Sequence, residues 1–422
     1  MSRAAVILRV PGRILVSNQD EDRPLPTTRT ADDPEAAARE LAAELSREPP
    51  ATPTIVRTGR RIDIDGDSIV PVLFDLTDDP DPDASDRSPE LDRESAVSEP
   101  ERSSASGVEP EVESYSWVSP TALHRSESSW AWMAYESVSP TVRSVTRDDE
   151  HGSAYLSVRA LEVLRDRAGL LDAEGASDAD AWDELADLAT RLRTARPGMA
   201  GVRNRVNRTM ADADGDPWAV ETVAEAAIER AATADARAAR RAAPLIDDEV
   251  VLTLSRSGTV LGAFADGTPR RIVTLASNPG NEGIDVAESL ADEHTVTIAP
   301  DAAAGHLLSE ADRVLVGADA IGPDGTVLNK VGTRTVAVVA ASEGVPVTVV
   351  AASDKVDADG TLRIESAGRS TVYDGDAPVD VASPLFDRTP PELVDWIVTE
   401  RGTVPPDEIA ALADERRSLT EW

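Results

Sequence analysis

The chain of 422 residues contains no cysteine and only two lysines, Lys330 and Lys355. Without cysteine, neither a disulfide bond nor a thiol nucleophile is available. Aromatic residues make up 3% of the chain, and no apolar run approaches the roughly 20 residues that a membrane helix needs. The N-terminus also lacks the apolar segment of a signal peptide. We therefore expect a soluble, cytoplasmic protein with no membrane contact.

Positive charge is scarce as well, because 78 Asp and Glu face 42 Lys and Arg, for a formal net charge of -36. Such a surface repels the phosphates of nucleic acids and anionic membranes, so no direct binding of nucleic acid is expected. In molar salt a Debye length of about 3 Å screens this self-repulsion. We predict a halophilic host, since a GC-rich genome would explain arginine in place of lysine but not the acidic excess.

The first 120 residues predict a small α+β domain. Arg3–Val10, a Pro-Gly turn and Arg13–Ser17 are typical of a β-hairpin. Asp33 is the expected N-cap of a helix that begins at Pro34 and runs to about Arg47. Further strands are predicted at Pro53–Arg57, Ser68–Asp75 and Ser114–Val118.

Composition divides the rest of the chain. Residues 78–111 are rich in Asp, Glu, Ser and Pro. We predict a disordered acidic insertion there, because the segment has too little apolar surface to offset the entropy of ordering. A connector at 121–153, a helical subdomain at 154–245 and a Rossmann-like domain at 246–422 follow. The predicted helices of the subdomain are Ala154–Arg167, Ala181–Arg193, Met199–Met210 and Trp218–Arg241.

The Rossmann-like domain alternates short apolar runs with helices. Runs without polar alternation indicate strands buried on both faces, hence a doubly wound parallel sheet. Ligands of such sheets bind at the carboxyl ends of the strands. The predicted strands are Val250–Ser255, Arg271–Ala276, Thr295–Ala299, Arg313–Gly317 and Val347–Ala351.

The first strand end reads Ser255-Arg256-Ser257-Gly258-Thr259. Small residues and a glycine at the start of a helix form an anion cradle, because the first amides of a helix are free. Arg256 would add positive charge there. Most turns of this kind bind no anion, so this pattern alone does not establish a site.

The next candidate strand end places Asp319 directly after an apolar strand, with Asn329 and Lys330 further on. Where lysine is this rare, its presence before Gly332-Thr333 at a helix start indicates a role that arginine's planar group does not fill. That helix start is a second possible phosphate cradle, and Lys355 follows the next strand. Taken alone, Asp319 is equally well explained as a helix or turn cap.

Several stretches, in a fixed order, together form a family signature: Ala195-Arg196-Pro197, Gly317–Ile321, Asn329–Thr333, Pro384–Glu392 and Thr399–Gly402. The region from Ala154 to Trp422 that contains them resembles the family of translation initiation factor 2B alpha, beta and delta subunits and ribose-1,5-bisphosphate isomerases. The resemblance implies a homodimer or higher oligomer, and one further reading is a subunit that contacts initiation factor 2.

In the isomerases of this family, a cysteine at the first strand end and the aspartate of Gly-Ala-Asp form an acid/base pair. Asp319 matches the aspartate, but Ser255 stands at the cysteine position. A serine hydroxyl is far less acidic than a thiol, whose pKa is about 8.5. Asn278 stands where the family has a phosphate-binding arginine. The resemblance is therefore closer to the non-catalytic subunits.

We accordingly predict a regulatory or non-catalytic protein that binds a sugar phosphate or nucleotide. The alternative is a pentose-phosphate isomerase of nucleotide salvage that uses Asp319 with an unconventional partner. The expected binding residues are Arg196, Ser255, Arg256, Ser257, Gly258, Asp319, Asn329 and Lys330.

The N-terminal region resembles a Nudix hydrolase domain, whose helix carries glutamates that bind Mg²⁺ beside a pyrophosphate. Glu40 and Glu44 lie at i and i+4, a spacing that shares a helix face but is usually a solvated face on so acidic a chain. We expect no cofactor, with Mg²⁺ bound only if this site is active, and Nudix hydrolysis stays an alternative. Arg39 also matches the motif, whereas Ala43, Ser46, Ala31 and Leu25 depart from it.

Overall fold

The computed structural model describes residues 2–18, 24–30, 33–46, 51–64, 66–77, 115–126, 129–148, 150–360 and 362–422. Two compact units make up the chain, the first formed by Met1–Pro140 with Arg165–Ser177 and the second by Thr141–Leu164 with Asp178–Trp422. The predicted acidic insertion at 78–111 and Ala31 of the Nudix comparison lie outside the described residues. No described helix is both long and apolar enough to cross a membrane.

The first unit is a mixed β-sheet with a helix on each face. Its elements are β1 (Ser2–Val10), β2 (Arg13–Ser17), β3 (Thr27–Arg29), α1 (Pro34–Leu45), β4 (Thr52–Thr58), β5 (Ile62–Ile64), β6 (Asp67–Thr77), β7 (Tyr115–Val118) and α2 (Ser129–Val138). The strand order of its sheet is β4-β6-β1-β2-β7, with β3 beside β1 and β5 beside β6. Among the described strands of this sheet, only β1 and β6 pair in parallel.

The predicted hairpin and helix are confirmed in this unit. Strands β1 and β2 pair antiparallel through Val10 and Arg13. The Asp33 carboxylate accepts the amide of Ala36 at 3.0 Å, and Pro34 is the first residue of α1. The segment predicted as a connector contains α2, whose aromatic rings are buried in the core of this unit.

Helices occupy most of residues 154–245, the region predicted as a helical subdomain, whose bounds stay a prediction. An alanine-rich sequence with an apolar stripe favours a helix. In the helix α7 (Ala219–Ala242), most of the buried residues are alanines. The helices are α3 (Val142–Arg147), α4 (Ser153–Glu174, shared with the first unit), α5 (Asp178–Arg193), α6 (Ala200–Ala213) and α7 (Ala219–Ala242).

The doubly wound sheet follows the helical subdomain. The elements are β8 (Val250–Thr253), α8 (Gly258–Asp266), β9 (Arg271–Leu275), α9 (Glu282–Leu290), β10 (Val296–Ala299), α10 (Ala304–Leu307), β11 (Arg313–Val316), β12 (Ala320–Ile321), β13 (Val327–Lys330), α11 (Thr333–Glu343), β14 (Val347–Val350), β15 (Phe386–Thr389), β16 (Trp396–Thr399), β17 (Gly402–Val404) and α12 (Ala410–Arg417). The strands of the sheet lie in the order β10-β9-β8-β11-β14-β16-β17. All of them are parallel except β17, which is antiparallel to β16.

Both faces of the central strands of this sheet are covered, as their apolar sequences predicted, whereas Ile298 of the edge strand β10 is exposed. Leu252 of β8 packs with Val336 of α11 on one face. Val251 packs with Phe264 of α8 on the other. The chain runs outward from β8 through β9 to β10, then returns to β11 on the opposite side of β8. A crevice opens where the strand order reverses in this way, at the carboxyl ends of β8 and β11. A small antiparallel sheet of β12, β13 and β15, which was not predicted, adjoins these strands.

Candidate functional site

The loops after β8 and β11 meet at this crevice. A Cβ atom on Gly317 would lie 2.5 Å from the Oγ of Ser257, so only glycine permits this approach. Ser257 caps α8 and accepts the amide of Val260 at 3.4 Å. Nothing in the described chain accepts a hydrogen bond from the amides of Gly258 or Thr259. The first turn of α8 therefore keeps donors available for an anion.

Asp319 follows β11 at the centre of this region. Its backbone amide donates to the carbonyl of Leu328 at 2.9 Å, and its side chain is half-buried. Burial raises the pKa of Asp319, against the lowering effect of Lys355, Arg196 and Lys330. The protonated form of Asp319 is therefore more populated near neutral pH than that of an ordinary aspartate, and this form can donate a proton.

Both lysines of the chain lie beside this carboxyl. Lys330 is only 5% exposed, and its Nζ donates a hydrogen bond to Oε1 of Glu282 at the start of α9. Lys355 is equally buried in the turn after β14, and no described residue accepts a hydrogen bond from its Nζ. The Asn329 amide instead donates to the Thr333 hydroxyl at 3.0 Å, which holds the turn into α11.

Arg196 reaches the same region from the loop between α5 and α6. It is 4% exposed, donates to the carbonyl of Asp148 and lies 3.3 Å from Oε2 of Glu365. Its Nε is buried without a hydrogen-bond partner in the described structure. Glu365 also accepts the amide of Gly198 at 3.0 Å and acts to raise the pKa of Asp319. The arginine therefore has a donor left for a ligand.

Two of the expected binding residues are tied to other groups. The amide of Ser255 donates to the Oγ of Ser277 at 2.6 Å, and the backbone of Ser255 is left-handed with φ of 67°. The Arg256 guanidinium donates to the carbonyl of Glu150 and lies 3.8 Å from a carboxylate oxygen of Asp285. The guanidinium of Arg256 is therefore engaged by other groups of the protein.

Asn278, at the position of the family's arginine, is also engaged by the protein. Its backbone amide and its side-chain amide donate to Oδ2 of Asp301 at 2.7 and 3.1 Å. The same carboxylate accepts the amide of Ser277 through Oδ1 at 2.7 Å. The asparagine thus serves to order the turn after β9.

The second cradle expected from the sequence, at Gly332-Thr333, holds an internal carboxylate. Asp387 accepts the amide of Gly332 at 2.8 Å and the amide of Arg334 at 3.1 Å. Burial raises the pKa of Asp387, while these two amides lower it. A side-chain carboxylate therefore occupies two amides of this helix start, where the sequence led us to expect a phosphate.

Three residues at the site were not among the expected binding residues: Lys355, Glu282 and Glu365. Lys355 was visible as the second lysine after a strand end. The two glutamates carry no such signal, because the chain contains 78 acidic residues and their sequence neighbourhood does not reveal burial. Their pairing with Lys330 and Arg196 is set by tertiary contacts.

The carboxylates of the Nudix comparison lie elsewhere, on α1. Glu40 and Glu44 are exposed, and the described residues contain no group of three or more His, Asp or Glu side chains suited to a metal ion. Leu25 is buried in the core, and Ser46 donates its hydroxyl proton to the carbonyl of Ala42. The Nudix resemblance stays a prediction.

The chain is similar to isomerases and to a translation initiation factor. Ribose 1,5-bisphosphate isomerase from Haloterrigena turkmenica is 35% identical over 318 residues, which cover 66% of this chain and 94% of that protein. The Haloferax volcanii protein of the same name is 32% identical over 305 residues, covering 66% and 93%. The structure of translation initiation factor eIF-2B from Pyrococcus horikoshii superposes with a TM-score of 0.56 at 26% identity, over 63% of this chain and 96% of that one. Residues 149–406 match the Initiation factor 2 subunit family, and the chain belongs to this family.

Proposed function

We propose that the crevice binds a phosphorylated pentose and isomerises it from an aldose 1-phosphate to a ketose 1-phosphate. The carboxyl of Asp319 carries this proposal, because burial raises its pKa while three cationic side chains surround it. The names of the relatives from Haloterrigena turkmenica and Haloferax volcanii support a ribose 1,5-bisphosphate substrate. This function corresponds to the alternative that the sequence left open rather than to its main prediction.

The chemistry requires one proton donor and one proton acceptor. When the bond between C1 and the ring oxygen breaks, that oxygen gains a proton, and the C2 hydroxyl loses one as it becomes a carbonyl. The hydrogen on C2 moves to C1, so the sugar keeps all its atoms. Asp319 in its protonated form is the donor to the ring oxygen.

The cations of the site hold the substrate. Lys330, Lys355 and the free Nε of Arg196 contribute charge-assisted hydrogen bonds to phosphate oxygens. The amides of Gly258 and Thr259 add an anion cradle at the start of α8. Fixed donors of this kind also stabilise negative charge that develops on oxygen during the reaction.

A second candidate is binding without turnover, and two replacements favour it. Ser255 replaces the thiol of the family's acid/base pair, and Asn278 replaces the phosphate-binding arginine and is held by Asp301. Such a protein would hold the sugar phosphate and signal its presence without converting it.

One experiment separates the two candidates. Phosphorus NMR would follow ribose 1,5-bisphosphate in molar KCl with the native protein and with Asp319→Asn. We expect conversion by the native protein and a loss of roughly 10²–10⁴ in rate in the variant, the range for a general acid. The ligand should still raise the melting temperature of both proteins, because it binds the folded state. Native protein that is stabilised by the sugar but does not convert it would establish the second candidate.

A further inference from the structure

Glu282 is a carboxylate whose surroundings differ from those of ordinary helix-terminal glutamates. It begins α9, which follows β9, the neighbour of β8 in the sheet. A glutamate in the first turn of a helix ordinarily faces solvent and complements the helix dipole. Here Oε1 accepts a hydrogen bond from Lys330, and Oε2 is buried with no hydrogen-bond partner within the described chain. A buried carboxylate oxygen without a donor is unusual enough to indicate a ligand or a reaction.

Gly280 makes room for this carboxyl group. A Cβ atom at position 280 would lie 2.6 Å from the carboxyl carbon of Glu282 and 2.7 Å from each of its oxygens. The carboxyl therefore rests against bare backbone. A methyl group at this position would displace it, and the fold would tolerate the change because the carboxyl ends a flexible side chain.

Lys330 connects this carboxyl to the proton donor of the site. Its ammonium group binds Glu282 and also acts on the charge of Asp319. The two carboxyl groups thus share one lysine but differ in environment, since Glu282 is ion-paired and Asp319 is not hydrogen-bonded to any described side chain. Two carboxyl groups in unlike environments are the arrangement that separates a base from an acid.

We propose that Glu282 is the base that works with Asp319, in the role that a thiol would otherwise fill. The proposal rests on the isomerisation proposed above. Oε2 of Glu282 takes the proton of the C2 hydroxyl, and the electron pair of that O–H bond closes the C2 carbonyl. The hydrogen on C2 moves with its electron pair to C1. The bond from C1 to the ring oxygen breaks, and this oxygen takes the proton of Asp319.

The step balances without an oxidant or a reductant. One proton leaves the sugar for Glu282 and one enters it from Asp319, while C2 is oxidised and C1 reduced by the same hydrogen. Proton transfer from Glu282 back to Asp319, through solvent or the lysine between them, restores the enzyme for the next turnover. Lys330 has the additional task of holding the base in place.

Three variants of the full chain test this role in molar KCl, with ribose 1,5-bisphosphate as the probe. Glu282→Gln removes the base and keeps its size. Gly280→Ala displaces the carboxyl without changing its chemistry. Glu288→Gln removes one exposed charge from the same helix and is the matched control. Melting temperature without ligand shows whether each variant folds.

We expect kcat to fall roughly 10²–10⁴-fold in Glu282→Gln, as for loss of a general base, and to fall in Gly280→Ala as well. Glu288→Gln should retain native activity. The Kd of the sugar should stay equal or become smaller in Glu282→Gln, because Lys330 is released for the phosphate. The pH dependence of kcat/KM should differ between the native protein and Glu282→Gln, because the variant lacks the carboxylate that accepts the proton.

Three results would overturn the proposal. Turnover by Glu282→Gln at the level of Glu288→Gln would remove Glu282 from the reaction while leaving the isomerase intact. Parallel losses of kcat and affinity with an unchanged pH profile would reduce Glu282 to a support for Lys330. Native protein that binds the sugar without turnover would instead overturn the isomerase itself and this role with it.

Discussion

The glutamates of α1 and those of the crevice show how differently one residue type behaves in the two units. Glu40 and Glu44 are exposed, and neither forms an ion pair with any described residue. Glu282 and Glu365 are each paired with a mostly buried cation. The first pair was visible in the sequence because it matched a motif, and the second was not. On so acidic a chain, the spacing of acidic residues is therefore a weak indication of a functional site. Contact with a buried cation is a stronger one.

Removal of salt should have the largest effect on stability. It should also distinguish exposed charges, which depend on salt, from buried ion pairs, which depend on it less. With a net charge of -36, we expect the protein to loosen or unfold below several hundred millimolar KCl. Exposed carboxylates lose their screening first, while buried pairs depend less on salt. Circular dichroism and melting temperature across a KCl series measure this. Native spectra and an unchanged melting temperature in dilute buffer would show that the acidic surface needs no screening.

The Lys330→Ala variant tests the buried side of the comparison. It removes a cation from the crevice and leaves the Glu282 carboxylate unpaired, so phosphate binding should weaken. A charge-assisted hydrogen bond contributes about 1.5–3 kcal/mol, or roughly ten- to a hundredfold in Kd. Calorimetric titration with ribose 1,5-bisphosphate measures the change. Arg237→Ala, an exposed arginine of α7, is the control for charge alone, and equal effects of both variants would argue against a site at Lys330.

The strands around the crevice were predictable and the contacts within it were not. Val250–Thr253 and Val347–Val350 are apolar apart from one threonine each, so burial on both faces followed from their sequence. The sheet of β12, β13 and β15 was missed because β12 has two residues and β15 reads Phe-Asp-Arg-Thr, which shows no apolar alternation. Glu282 gave no local signal either, since its pairing depends on a residue from β13.

A smaller effect should appear in the stability of Asp319→Asn. Because the folded-state pKa of Asp319 is raised by burial, the folded protein binds its proton more tightly than the unfolded chain. The stability that this proton contributes is present below the unfolded pKa, near 3.9, and is lost as pH rises through the folded pKa. Asparagine resembles the protonated form at every pH. The variant should therefore gain melting temperature relative to the native protein as pH rises from 4 to 7, and a constant difference would contradict the raised pKa.

Glu44→Gln should have the smallest effect of all. Glu44 lies exposed on α1 and contacts no cation that the structure describes, so its loss should change stability by no more than about 0.5 kcal/mol. The native protein should show no Mg²⁺-dependent hydrolysis of nucleoside diphosphate derivatives, because Ala43 and Leu25 stand where the Nudix motif has a glutamate and a glycine, and Leu25 is committed to the core. Phosphate release assays with both proteins measure this. Clear hydrolysis that disappears in Glu44→Gln would show that an exposed pair of carboxylates can form a metal site here. Each of the two units would then contain an active site, and exposure would no longer distinguish inactive glutamates from active ones.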